Sequence, residues 1–155
     1  MKWDPDRSTA AGYWRVSAEY VIAARLVNAS SNRLFFPILQ LHGQAIELAL
    51  KAFLLKRGMA LQEVEGMRHR LTDLLITSRR RRLGTEVKLG RRDILLIKLL
   101  DANYSKHRFR YIVSGATQVP AKAPLSKLSE RLVVSLEKYC TGMQGGLDRL
   151  ARARR

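Results

Sequence analysis

Residues 34–55 (LFFPILQLHGQAIELALKAFLL) form an apolar segment that nevertheless carries a regular line of polar side chains. At about 100° per residue, one narrow helical face holds Gln40, Gln44, Glu47 and Lys51. A helix that is apolar on most sides belongs in the centre of a bundle, where an unpaired polar group costs free energy. We therefore expect a central helix whose polar stripe is partly buried and lines a groove or a symmetric contact.

The stripe also has a simpler interpretation. Glu47 and Lys51 stand four residues apart, in the favoured orientation for an intrahelical ion pair. Such a pair could simply lie on a solvent-exposed edge of the helix, and it would then contribute only a few tenths of a kcal/mol to helix stability. His42 lies opposite the stripe, so we interpret it as a satisfied core or interface histidine rather than a ligand.

The composition predicts one soluble domain with a polyanionic partner. A chain of 155 residues with 46% hydrophobic residues suits one globular core. The formal net charge is +16, which favours RNA, DNA, a nucleotide or an acidic surface as partner, although a basic surface without a dedicated partner gives the same count.

The remaining composition indicates a cytoplasmic protein. Cys140 is the single cysteine, so neither an intramolecular disulfide nor a cysteine-based metal cluster is possible, as expected in a reducing cytosol. The N-terminal residues (MKWDPDRS) lack the apolar core of a secretion signal. The polar residues within 34–55 argue against a membrane span.

Hydrophobic periodicity predicts an all-α fold, a compact four- to five-helix up-and-down bundle. Asp4 and Pro5 resemble the start of a first helix, which would end near Asn28 and bury Tyr13, Val16, Tyr20, Ala24 and Val27. Further helices are predicted over residues 34–55, with Gly58 as the stop, 71–82, 91–103 and 126–140. Residues 59–69 are predicted as a loop or short helix, and residues 119–124 as a linker. We expect one domain over residues 1–145, followed by a basic tail over 146–155 whose helix would fray.

Two basic segments could carry chemistry. In the first, Arg68, His69 and Arg70 precede Asp73, whose carboxylate could orient the His69 imidazole; otherwise His69 is a cap or loop anchor. The second segment, 104–111, interleaves basic with aromatic residues, which suits phosphate contact plus base stacking. Its aromatic residues could instead be core and its basic residues solvated. Its members are Tyr104, Lys106, His107, Arg108, Phe109, Arg110 and Tyr111.

The order of three motifs resembles the HEPN superfamily: residues 39–51 (LQLHGQAIELALK), 67–75 (MRHRLTDLL) and 107–115 (HRFRYIVSG). The resemblance implies a small helical bundle, often dimeric, that binds nucleotides or RNA; many members are metal-independent ribonucleases. Catalytic members carry an arginine a few residues before a histidine. Here His107 fits that histidine and Asn103 fits the pattern, but Ala102 holds the arginine position.

The resemblance and the charge together predict an RNA- or nucleotide-binding module, non-catalytic or weakly catalytic, that forms a homodimer. One alternative is a metal-independent endoribonuclease of toxin type that uses His107 with Arg108 or Arg110. Another is the protein-partner module of a nucleotidyltransferase or antitoxin pair. The predicted phosphate contacts are Lys51, Arg68, His69, Tyr104, Lys106 and Tyr111, and the predicted groove residues are Gln44, Glu47 and Asn103. We predict no cofactor and no metal, because no P-loop, dinucleotide fingerprint or zinc helix is present.

Overall fold

The computed structural model describes residues 8–31, 33–111 and 115–152, and within these ranges the chain contains helices and no strand. The predicted all-α class is confirmed. The described helices outnumber the predicted four to five because residues 59–69 contain a short helix and a further one lies near the C-terminus. They are α1 (Ala10–Ser30), α2 (Phe35–Lys56), α3 (Leu61–Gly66), α4 (Leu71–Arg80), α5 (Arg91–Tyr104), α6 (Lys122–Thr141) and α7 (Gly146–Arg152), with a 3₁₀ turn at Leu83–Thr85.

Helix α2 is the central element, as its composition predicts. It packs against α1, α3, α4, α5 and α6, and it fully buries Ile46, Leu50 and Phe53. Each such side chain contributes roughly 1.5–3 kcal/mol of hydrophobic stabilisation. By length and composition α2 could cross a membrane, but 72% of its apolar window is buried inside this fold. That burial is the signature of a core helix.

The ends of α1 and α2 follow from local hydrogen bonding. Thr9 caps α1, since its Oγ1 accepts the Gly12 N–H at 3.1 Å. The predicted start at Asp4 and Pro5 lies outside the described residues. At the far end of α2, Gly58 has φ +88°, and the N–H groups of Gly58 and Met59 bond back into the last turn. Gly58 therefore ends α2 in a Schellman motif, which confirms the predicted stop.

The buried face of α1 differs from the predicted one. Trp14, Ser17, Ala18 and Val21 are buried together with Ala24, whereas Tyr13, Val16, Tyr20 and Val27 are only partly buried. Trp14 Nε1 donates to the Val133 carbonyl oxygen of α6 at 2.8 Å, on the same face of α1 as the small buried residues Ser17, Ala18 and Ala24. The positions of the large apolar side chains therefore predict the wrong buried face for α1, because closely packed helices favour small residues at their contact.

Helix α6 begins four residues before its predicted start, within the segment predicted as a linker. Pro124 is its third residue, where a missing N–H removes no intrahelical hydrogen bond. In the segment predicted as a basic tail, α7 buries Gly146 and Leu147, and its Gly146 N–H donates to Glu137 Oε1 at 2.5 Å.

Candidate functional site

The Glu47 carboxylate is the centre of a buried polar cluster at the middle of α2. Glu47 is 2% exposed and Lys51 is 7% exposed, so neither has the solvation of an open helix edge. Lys51 Nζ donates to Glu47 Oε1 at 2.7 Å, which confirms the predicted ion pair. The second oxygen, Oε2, accepts from Tyr104 OH at 2.6 Å and from His69 Nδ1 at 2.9 Å. We call these four residues the Glu47 cluster.

Tyr104 reaches Glu47 because α2 has a glycine beneath its ring. A Cβ built at Gly43 would overlap the Tyr104 ring, so the ring lies directly against the α2 backbone. Burial, followed by the Glu47 charge, raises the pKa of the Tyr104 phenol above its ordinary value, while Arg110 opposes the rise. Tyr104 is therefore a neutral hydrogen-bond donor that fixes the carboxylate.

His69 contacts Glu47 and not Asp73, which the sequence offered as one of two alternatives for this histidine. Asp73 pairs instead with Arg70, at 3.0 Å. A carboxylate only accepts hydrogen bonds, so the His69 Nδ1 carries a proton and points Nε2 away from Glu47. The side chain is 37% exposed, which leaves part of the ring open to solvent.

A second helix holds the turn that carries His69. The two carboxylate oxygens of Asp101, on α5, accept the N–H groups of Leu71 and Thr72 at 3.0 Å each. They cap α4 from outside, because Arg70 at the N-cap position makes no side-chain cap bond. Sequence reasoning missed this contact, since nothing local links Asp101 to a turn thirty residues earlier.

His107 stands next to His69 at the end of α5. The two ring centroids are 5.0 Å apart, and the ring planes are nearly perpendicular at 75°. His107 has φ +56° and Arg68 has φ +50°, a region that side-chain-bearing residues rarely occupy. Of the three non-glycine residues with positive φ in the described ranges, one is therefore a member of this histidine pair and another directly precedes His69. Such strain concentrates at functional sites.

An open cavity of about 380 Å³ lies beside the cluster, where α5, the following turns and the start of α2 meet. The rings of Phe36 and Phe109 lie 6.0 Å apart at its wall, and Tyr111 is 71% exposed. Asn103 donates from Nδ2 to the Gln118 carbonyl oxygen at 2.9 Å, which anchors the segment that closes one side. We call it the aromatic cavity; its lining residues are Phe36, Asn103, Arg108, Phe109, Arg110, Tyr111, Gly115, Thr117 and Val119.

The predicted site residues fall into two groups. Arg68, Lys106, Arg108, Arg110 and Tyr111 are exposed, and His69 and His107 are partly exposed. Lys51, Tyr104, Glu47 and Asn103 are buried, and Gln44 is partly buried. Because their polar atoms bond within the protein, Lys51 and Tyr104 support the site from inside instead of presenting a phosphate contact on the surface. Residues 112–114 of the third HEPN-like motif lie outside the described ranges.

Two titratable groups lie away from this site. His42 is buried and its Nδ1 is 2.7 Å from Ser129 Oγ, so it is the satisfied core histidine that was predicted. Burial lowers the pKa of His42 to about 4 and raises the pKa of the Cys140 thiol to about 12. Within the described ranges, no group of three or more His, Cys, Asp or Glu side chains could hold a metal ion.

No known protein-family model matches the chain, and searches of curated proteins and of solved structures also find no match. The geometry of the Glu47 cluster and the aromatic cavity is therefore what any functional inference has to start from.

Proposed function

We propose that this chain is an RNA-binding helical module with a HEPN-like up-and-down bundle, and that it holds a single-stranded segment or a nucleotide in the aromatic cavity. The observation that carries this proposal is the joint lining of one open cavity by aromatic rings and arginines. An exposed ring such as Tyr111 accepts a stacked base, worth about 1–3 kcal/mol per base. Arg108 and Arg110 supply charge for the adjoining phosphates.

The net charge of +16 supports the same conclusion at long range. A basic surface increases the rate of encounter with a polyanion and makes affinity depend on salt. Charge alone does not determine where on the surface the ligand binds. The aromatic rings of the cavity favour that location, because they can stack on bases.

A fluorescence-anisotropy titration with a labelled single-stranded 12-mer RNA tests this proposal. We expect Tyr111→Ala and Arg110→Ala each to weaken binding about tenfold, because each removes a stacking or charge-assisted contact. Arg92→Ala is the matched control. Arg92 is an exposed arginine near the start of α5, about 18 Å along the helix axis from Tyr104 at its other end. Equal weakening by Arg110→Ala and Arg92→Ala would show that only overall charge matters and would overturn the proposed cavity.

The adjacent histidines favour a second candidate function, metal-independent cleavage of RNA. In this reaction His69 Nε2 takes the proton of a 2′-hydroxyl, whose oxygen attacks the neighbouring phosphorus. The bond to the 5′-oxygen breaks, and that oxygen takes a proton from the protonated His107 ring. The products are a 2′,3′-cyclic phosphate and a 5′-hydroxyl, and Arg110 stabilises the charge of the transition state.

Incubation of RNA with the purified protein in a metal chelator tests this candidate. We expect a 2′,3′-cyclic phosphate end on the products, and at least a hundredfold slower cleavage by His69→Gln, the usual scale of acid–base catalysis. Uncut RNA, or cleavage by His69→Gln at the wild-type rate, would restrict the function to binding.

A further inference from the structure

The Asp101 side chain joins α5 to the backbone that follows His69. Its Oδ1 accepts the Leu71 N–H and its Oδ2 accepts the Thr72 N–H, at 3.0 Å each. Leu71 and Thr72 come two and three residues after His69 in the chain. The carboxylate of one α5 residue therefore holds the end of the turn that carries the first histidine of the pair.

The main chain of Asp101 is bonded to the segment that carries the second histidine. Its carbonyl oxygen accepts the Ser105 N–H at 3.1 Å and the Ser105 hydroxyl at 2.7 Å. In the turn that follows, the His107 N–H donates to the Tyr104 carbonyl oxygen at 3.0 Å. One residue thus contacts the backbone near both histidines, and its side chain is the part that reaches α4.

These two bonds do more than satisfy the start of α4. A helix start is ordinarily capped by the side chain of its own N-cap residue, and serine, threonine, aspartate and asparagine suit that position. The N-cap residue of α4 is Arg70, which makes no side-chain cap bond. A local cap would satisfy the same N–H groups, whereas the carboxylate of Asp101 also fixes the distance between α4 and α5.

The contact with Glu47 does not fix His69 by itself. Nδ1 lies 2.9 Å from Glu47 Oε2, and a ring held by one hydrogen bond can still pivot about that contact. Arg68, the preceding residue, has φ +50°, and such strain persists only where the surrounding structure holds it. The position of His69 therefore depends on Glu47 at the ring and on Asp101 at the backbone.

We propose that Asp101 is a positioning residue that sets the separation and angle of the His69 and His107 rings for acid–base cleavage of RNA. This role rests on the second candidate function, in which one ring takes the proton of the 2′-hydroxyl and the other protonates the leaving 5′-oxygen. Both rings must reach the reacting atoms in the same complex, and a displacement of about 1 Å can cost up to about a hundredfold in rate. Asp101 acts through the α4 backbone and not by contact with the RNA.

Two variants separate positioning from capping. Asp101→Ala removes both the cap of α4 and its link to α5. The double variant Asp101→Ala/Arg70→Ser regains a cap, because a hydroxyl at the N-cap position bonds the first-turn N–H groups, but it does not regain the link. Arg70→Ser alone is the matched control, since it adds the local cap while Asp101 stays in place.

Three measurements follow these variants: the nuclear Overhauser effect between the His69 and His107 rings, urea unfolding, and cleavage of a single-stranded 12-mer RNA at saturating concentration. We expect Asp101→Ala to lose the Overhauser effect, to unfold at lower urea, and to cleave at least about tenfold more slowly. The double variant should regain the stability but neither the ring contact nor the rate. RNA affinity should be unchanged throughout, because the aromatic cavity keeps its rings and arginines.

Recovery of both the rate and the ring contact in the double variant would show that Asp101 is only a cap and would overturn the proposal. An unchanged Overhauser effect in Asp101→Ala would overturn it as well. The Overhauser effect is measured without RNA, so it decides whether Asp101 positions the two rings independently of any cleavage. Uncut RNA with the wild-type protein would instead refute the cleavage function, and with it the catalytic use of the positioned pair.

Discussion

At the scale of single residues, His107 has a left-handed backbone conformation that is unfavourable for any residue other than glycine. It lies just after α5 with φ +56°, the position where helices commonly end in glycine. Its imidazole nevertheless stands 5.0 Å from that of His69. A residue that costs backbone strain and contacts a candidate catalytic partner has the features of a functional position.

We expect His107→Gly to raise the free energy of unfolding by about 1 kcal/mol, since glycine relieves the left-handed strain, while RNA binding or cleavage falls. Urea unfolding and the anisotropy titration measure the two effects. Arg82→Gly is the matched control, because Arg82 has φ +66° away from the histidine pair and should gain stability without a change in RNA affinity. A stability loss in His107→Gly would instead assign the ring a structural role.

The Glu47–Lys51 pair gives a second prediction at this scale. Glu47→Gln leaves the Lys51 ammonium buried without its counter-charge, so we expect a loss of about 3 kcal/mol or more in the free energy of unfolding. Adding Lys51→Met should recover a large part of that loss, because the unpaired charge is then absent. Urea unfolding of the two single variants and the double variant measures the coupling. A loss below about 1 kcal/mol in Glu47→Gln would mean that the pair is solvated.

A spacing of four residues identifies the contact of Glu47 with Lys51, but the same spacing does not bring His69 to Asp73. The first pair lies within one helix, where spacing determines contact. In the second, His69 precedes α4, and the Glu47 carboxylate twenty-two residues earlier outcompetes Asp73. Local spacing holds inside a helix and loses its value in the turn before one.

At the scale of elements, α2 and α5 are held together by the contact of Tyr104 with Gly43. The glycine in the interior of α2 was a sequence signal that could have predicted a close approach, since it weakens a helix that otherwise suits burial. The role of Gly58 could be predicted because a helix end depends on residues that are neighbours in the sequence. The start of α6 and the buried face of α1 could not be predicted, because they depend on which helix faces meet in the bundle.

We expect Gly43→Ala to lower the free energy of unfolding by about 1–2 kcal/mol, because overlap with the Tyr104 ring outweighs the gain in helix propensity. The displaced phenol would also lose its bond to Glu47, which tyrosine fluorescence or NMR can follow. Gly66→Ala serves as the comparison: it lies in α3 with open space around its missing Cβ, so it should be stabilised or unchanged. Equal stability of wild type and Gly43→Ala would show that α5 adjusts freely against α2.

At the scale of the whole molecule, the polar stripe and His42 lie on different sides of the central helix α2 and contact different helices. Glu47 and Lys51 of the stripe belong to the Glu47 cluster, whereas His42 lines a different cavity, between α1 and α6. The sequence alone predicts the central helix and its buried polar pair. It could not predict the cavities, since they form where α5, α6 and the loops before them close against α2.

The buried His42 makes the stability of the whole fold depend on pH. Its pKa is about 4 in the folded chain and about 6.5 when unfolded, so between these values the unfolded state binds more protons. Its contribution is complete above pH 6.5 and is lost as the pH falls toward 4, by a total on the order of 3 kcal/mol. Urea unfolding at pH 7.5, 6 and 5 should show this decline, and it should be shallower in His42→Gln, which cannot titrate. Parallel pH profiles for the two proteins would mean that the folded chain protonates His42 without cost.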